Sequence, residues 1–201
     1  MKLNDYWRGA VLALAAATCW GMISPVAKVL AAAGIDLMTV MTFRSMFTVI
    51  ASGIFLLFTE GRDIFCFNAE YMRFYVISGI LSVAFAGGGF LMSLAYLSVP
   101  EALVIHYTFP IVTIIGSLYI THENPTIFQY VAGGIIVCGV FIGMGGSMDA
   151  MLNISLPGLL WGILAVFGIS VQALVVRSFS LGHKVNEFRL LFFSNIFGCI
   201  L

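Results

Sequence analysis

Charge is what this sequence has least of. Nine Lys+Arg and nine Asp+Glu stand among 201 residues, 9% of the chain, where an average soluble domain carries about 25%. The two signs cancel, so nothing suggests nucleic acid or a polyanionic substrate. Cysteine is sparse as well. Cys19, Cys66, Cys138 and Cys199 show no CxxC spacing, imply neither a disulfide framework nor a metal site, and read as small packing residues. Enzyme signatures are missing: there is no HExxH, no GxSxG and no Walker loop. Carboxylates are absent from the middle of every complete apolar run, so an intramembrane aspartyl protease finds no dyad. The chain reads as a non-enzyme that needs no cofactor.

Apolar length is what the chain has instead. Hydrophobic residues make up 61% of it and mean hydropathy is +1.08, leaving too little polar surface to cover a soluble globule. This composition belongs to an all-α integral membrane protein, with the lipid bilayer as its partner. A bilayer core about 30 Å thick needs roughly 20 apolar residues in helix. Six runs supply that: Gly9–Ala33, Leu37–Thr59, Phe74–Val99, Ala102–Thr121, Thr126–Gly146 and Leu156–Phe179. A seventh starts at Phe188 and reaches only Leu201, about 21 Å at 1.5 Å per residue, so the chain is expected to be cut within a crossing. The uncharged core Gly9–Ala27 exceeds the roughly 7–15 residues of a signal peptide's apolar region, which makes span 1 a retained helix.

Helix chemistry marks several boundaries. Asn124-Pro125 before span 5 fits a cap followed by proline in the first turn, and Ser155-Leu156-Pro157 does the same before span 6. Only Ser98-Val99-Pro100-Glu101 separates spans 3 and 4, which must therefore be antiparallel neighbours, and Glu101 suits the start of span 4. Basic residues set the orientation. With the N-terminus cytoplasmic, Lys2, Arg8, Arg62, Arg73 and Lys184 fall inside, with Arg177 and Arg189 flanking the last loop. Only Lys28 and Arg44 fall outside. The expected location is the plasma membrane, N-terminus inside.

Two segments repeat each other at unusual residues. Gly9 and Lys28 match Gly158 and Arg177 at an offset of 149; Arg44, Phe47 and Gly53 match Arg189, Phe192 and Gly198 at an offset of 145. A four-residue loop deletion reconciles the two. If span 6 repeats span 1, the unit has five spans, and an odd unit inverts its second copy, the architecture of many secondary transporters. The expected organisation is residues 1–146 as one five-helix unit, 147–155 as a linker and 156–201 as the start of a second unit. A complete second unit would reach about 300 residues and ten spans.

Polar side chains within the spans fall on helical faces. Span 1 carries Trp20, Ser24 and Lys28 beside Pro25; span 3 carries Ser78, Ser82, Ala86, Gly89, Ser93 and Tyr96. Span 4 carries His106, Pro110, Thr113 and Ser117, and span 6 carries Trp161, Ala165, Gly168 and Gln172. Stripes of small residues of this kind are packing surfaces in most membrane proteins. Gly139 and Gly143 in span 5 have GxxxG spacing, a packing surface within the chain or between copies in a homo-oligomer. Gly87-Gly88-Gly89 marks either a hinge or a close approach. Lys28 and Arg44 either snorkel to the interface or attract an anionic or zwitterionic solute. His106, one turn into span 4 beside Tyr107, is either a packing histidine or a proton or substrate ligand. Gln172 offers donor and acceptor in mid-span.

Tyr96-Leu97-Ser98-Val99-Pro100-Glu101-Ala102, Pro110, the Thr121–Thr126 loop with Glu123, and the glycines Gly133, Gly134 and Gly139 together carry a resemblance. They resemble the EamA-type half of the drug/metabolite transporter superfamily, as do Trp20-Gly21 and Phe43-Arg44. The resemblance covers residues 7–146 as a complete unit and 156–201 as the beginning of a second. Ile169-Ser170 stands where the second copy would hold Trp-Gly. The resemblance implies a ten-helix carrier with both termini cytoplasmic and a central cavity between inverted halves. It also implies movement of small metabolites, such as amino acids or related compounds, frequently outward, with a structural role for Glu123. The expected cavity residues are Trp20, Ser24, Lys28, Tyr96, His106, Tyr107 and Gln172, for a small-molecule substrate and no metal. Two alternatives are a membrane enzyme using His106, and a non-transporting scaffold or inactive transporter fragment.

Overall fold

A computed structural model describes residues 3–61, 64, 68–123, 125–143 and 155–200. Asn124, Cys66, most of the 147–155 linker and Leu201 lie outside the described residues, so the Asn124 cap and that linker have no structural counterpart here. Every regular element among the described residues is helical. Span 1 is α1 (Leu3–Gly21) followed by α2 (Ile23–Ala32). Span 2 is α3 (Leu37–Glu60). Span 3 is α4 (Ala69–Gly79), a π-helical stretch (Ile80–Gly88) and α5 (Gly89–Tyr96). Span 4 is α6 (Val99–His106) and α7 (Phe109–Ile120), and span 5 is α8 (Ile127–Gly143). Span 6 is α9 (Leu156–Gly182) and span 7 begins as α10 (Glu187–Cys199). Spans 1, 2, 3, 4 and 6 are long and apolar enough to cross a membrane. The described helix of span 5 runs from Ile127 to Gly143, and the last three positions of the expected run lie outside the described residues.

Local chemistry sets the ends. Asp36 accepts from the Thr39 amide at 2.9 Å to start α3, after a turn in which Gly34 adopts φ +81° and Ile35 N–H reaches back to the Leu30 carbonyl. Ser98 and Glu101 form a reciprocal capping box that turns span 3 into span 4. Ser155 departs from expectation. Its hydroxyl donates to the Tyr96 carbonyl at 3.3 Å instead of capping its own helix, tying span 6 to the end of span 3.

Proline breaks spans 1 and 4 in the same way. Pro25 has no N–H for the Gly21 carbonyl and Pro110 has none for that of His106, so α1 ends at Gly21 and α6 at His106. Span 3 is the centre of the bundle, more than half buried along its most apolar stretch. Spans 6 and 7 press on it through glycine. A Cβ on Gly168 would lie 2.6 Å from the Ala86 nitrogen and 2.7 Å from the Leu81 carbonyl oxygen. One on Gly79 would lie 2.5 Å from the Ser194 carbonyl oxygen, and Gly198 packs against the Val83 side chain. Gly89 meets the backbone of Trp161 and Ala165, so the glycine triplet serves a close approach in this structure.

One apolar cluster joins spans 1, 2, 3, 4 and 6 through Ala27, Met41, Leu94, Ile105 and Val166. A second joins spans 2, 3 and 7 through Leu56, Phe74, Tyr75 and Phe193. The cysteines do not behave as packing residues: Cys19, Cys138 and Cys199 are exposed, because each falls on a helix face turned away from its neighbours. Gly139 likewise faces open space, while Gly133 carries the contact of span 5 with Ile111 and Ile114 of span 4.

Candidate functional site

Three of the expected residues gather at the broken helices. Ser24 is buried in α2, just beyond the Pro25-associated break, and α2 packs on both α5 and α6. His106 is the last residue of α6, half-buried, with its ring 4.6 Å from that of Phe90 and 5.8 Å from that of Phe109. Its Nδ1 is buried and has no hydrogen-bond partner among the described residues. A packing histidine normally satisfies that nitrogen; the buried Ser45 and Ser78 hydroxyls share the same unpartnered state among the described residues. Tyr107 follows at the break itself and is exposed.

The remaining candidates are more scattered. Trp20 is 67% exposed and Tyr96 50%. Lys28 is half-buried near the end of α2, and Gln172 is half-buried in span 6 with no hydrogen bond among the described residues. The ring pair of the adjacent His106 and Tyr107 is the only recorded ring contact, hydrogen bond or ion pair within the set among the described residues.

Sequence reading missed the polar chemistry at the other end. There Glu60, at the end of span 2, accepts from Arg189 Nε at 2.5 Å and from the Asn186 amide at 2.6 Å, in a pair only about one-fifth exposed. Glu123 pairs with Arg177, whose Nε donates to it at 3.1 and 3.2 Å. His122 at φ +53° turns the 4–5 loop just before Glu123. The Arg177 guanidinium holds the Glu123 carboxyl below the ordinary carboxylate range, overcoming the opposing effect of desolvation. Glu70 and His183 approach to 3.4 Å. A signal was available: alternating span direction places loops 2–3, 4–5 and 6–7 on one side, so these scarce charges face one another.

The geometry so far is that of a polytopic helical membrane protein with interrupted spans. The model of the EamA-like transporter family matches residues 7–144. The chain belongs to the EamA-like transporter family. No curated protein and no solved structure matches it. The family match makes this an integral, multi-pass membrane protein of the drug/metabolite transporter superfamily, and it ends where the first five spans end.

Proposed function

We infer that this EamA-like protein is a secondary transporter, exporting small organic metabolites such as amino acids or related compounds by alternating access. The observation that carries the reading is the pair of proline-broken spans with the unpartnered His106 Nδ1 at one break. Broken membrane helices expose backbone carbonyls, which is tolerated only where the break is buried or lines a wet cavity, and such breaks form the sites of many carriers. The repeated Lys28/Arg177 and Arg44/Arg189 positions support two inverted five-helix units, 1–146 and the segment from 156 onward, and the basic residues of the short loops support a cytoplasmic N-terminus in the plasma membrane. Ser24, Lys28, His106, Tyr107 and Gln172 would line the cavity, with Trp20 and Tyr96 at its margins.

Counterflow of radiolabelled amino acids in proteoliposomes tests this. Wild-type protein should exchange solute, and His106→Gln and Lys28→Ala should each lower the rate about tenfold, near 1.4 kcal/mol, at unchanged folded yield. Wild-type rates in both variants would place the site elsewhere. No exchange by wild type with any solute in the class would remove the transport reading.

A further inference from the structure

A cavity of about 410 Å³ opens at the end of the bundle where spans 2, 3 and 7 meet. Its walls are Glu60, Asn68, Tyr71, Lys184, Asn186 and Arg189, over the buried ring of Tyr75. That volume lies within the roughly 300–1,000 Å³ of small-molecule sites. None of the residues expected from the sequence to bind solute lines it.

The chemistry of the lining is one-sided. The Asn68 Oδ1 accepts from the Tyr71 amide at 3.1 Å, and the Asn186 Oδ1 accepts from the amides of Phe188 and Arg189 at 2.9 and 3.3 Å. Both oxygens are therefore engaged in starting helices. Both Glu60 oxygens are taken as well, one by Asn186 and the other by Arg189. The Tyr71 hydroxyl donates to the Lys184 carbonyl at 3.2 Å, which pins the 6–7 loop across the opening. Donors remain. The Asn68 amide hydrogens and the Lys184 ammonium have no acceptor among the described residues, and the Arg189 guanidinium forms the wall beside them. Among the described residues that line it, one carboxylate against one ammonium and one guanidinium gives a formal charge of +1.

We propose that this cavity binds one monoanionic group, a carboxylate or phosphate, between Lys184 and the Asn68 amide, beside the Glu60–Arg189 pair. The site does not depend on the transport reading. A soluble anion and the headgroup of an acidic phospholipid share the chemistry, and basic pockets between membrane helices take headgroups of this kind.

The test uses the full chain in nanodiscs and reads its thermal midpoint. In phosphatidylcholine discs, inorganic phosphate is titrated against sodium chloride of equal ionic strength; in a second arm, phosphatidylglycerol replaces part of the phosphatidylcholine. A saturable rise with phosphate identifies a soluble anion, and a rise with phosphatidylglycerol alone identifies a headgroup; either supports the site. Asn68→Asp keeps the oxygen that starts α4 but brings the cavity to zero charge, and Lys184→Gln does so from an exposed loop. Each should weaken the response at least tenfold, and Lys184→Gln decides the matter if Asn68→Asp fails to fold. No saturable rise in either arm, or variants that respond as wild type does, would overturn the proposal.

Discussion

The two ends of this bundle use the same scarce carboxylates in opposite ways. At the end holding the 1–2 and 3–4 turns, Asp36 and Glu101 each bond three residues along their own chain and start a helix. Lys28 and Arg44 pair with no carboxylate there among the described residues, and the spans are held by the Ala27–Val166 cluster. At the other end, Glu60, Glu70 and Glu123 reach across the fold to Arg189, His183 and Arg177. Each of those acids lies within the family-matched unit and each base lies beyond it. The lesson is one of division of labour. Charge at the first end shapes individual helices; charge at the second joins the first five spans to the next two.

The comparison breaks most severely at the fulcrum between the ends. Gly168→Leu would drive a side chain into the π-helical backbone of span 3, which has no flexible tip to yield, so it should cost about 3 kcal/mol or more and collapse folded yield. A midpoint within a degree or two of wild type would show that spans 3 and 6 do not pack this closely.

Glu60→Gln should come next, at about 2 kcal/mol, because it leaves Arg189 half-buried without its carboxylate. The reciprocal swap Glu60→Arg with Arg189→Glu should restore part of the loss. Asp36→Asn, at the opposite end, should cost under about 0.5 kcal/mol, since asparagine caps as well as aspartate. Equal losses at the two positions would erase the distinction between joining and shaping.

The smallest effect is a pH dependence. The Glu123 carboxyl has a lowered pKa in the fold, so its contribution is fully present above the ordinary carboxylate value near 4.5. It fades as pH falls from there through the lowered native value. Glu123→Gln should flatten that part of the acid unfolding curve, match wild type at low pH, and lower stability at pH 7 to 8 by the same small amount, small because the pair is exposed. An unaltered acid slope would mean that the pair does not form.

Much of the architecture was legible in the residues. Apolar length placed the spans and Ser98 and Glu101 marked the 3–4 turn, whereas Pro25 and Pro110, noted only among the polar stripes, proved to sit where spans 1 and 4 break. Glu123 was expected to act structurally, and its bond to Arg177 gives that expectation a form. The candidate site was legible only in part. His106 drew attention as a titratable group in hydrocarbon, yet its orphaned nitrogen appears only once Phe90 and Phe109 close around it. Arg177 and Arg189 read as markers of orientation, with no hint of which acids they meet. The four cysteines looked like packing residues because composition does not say which face of a helix is turned outward.

The sequence by itself determined the membrane class, the helices and the points where they break, because hydropathy, capping and proline act within about four residues along the chain. Tertiary structure decided which charges meet and where donors are left over. Glu60 lies 129 residues from Arg189, and their contact depends on how spans 2 and 7 are rotated against span 3. That rotation is fixed by glycine contacts at Gly79, Gly168 and Gly198, spread across the fold. No local pattern encodes their sum.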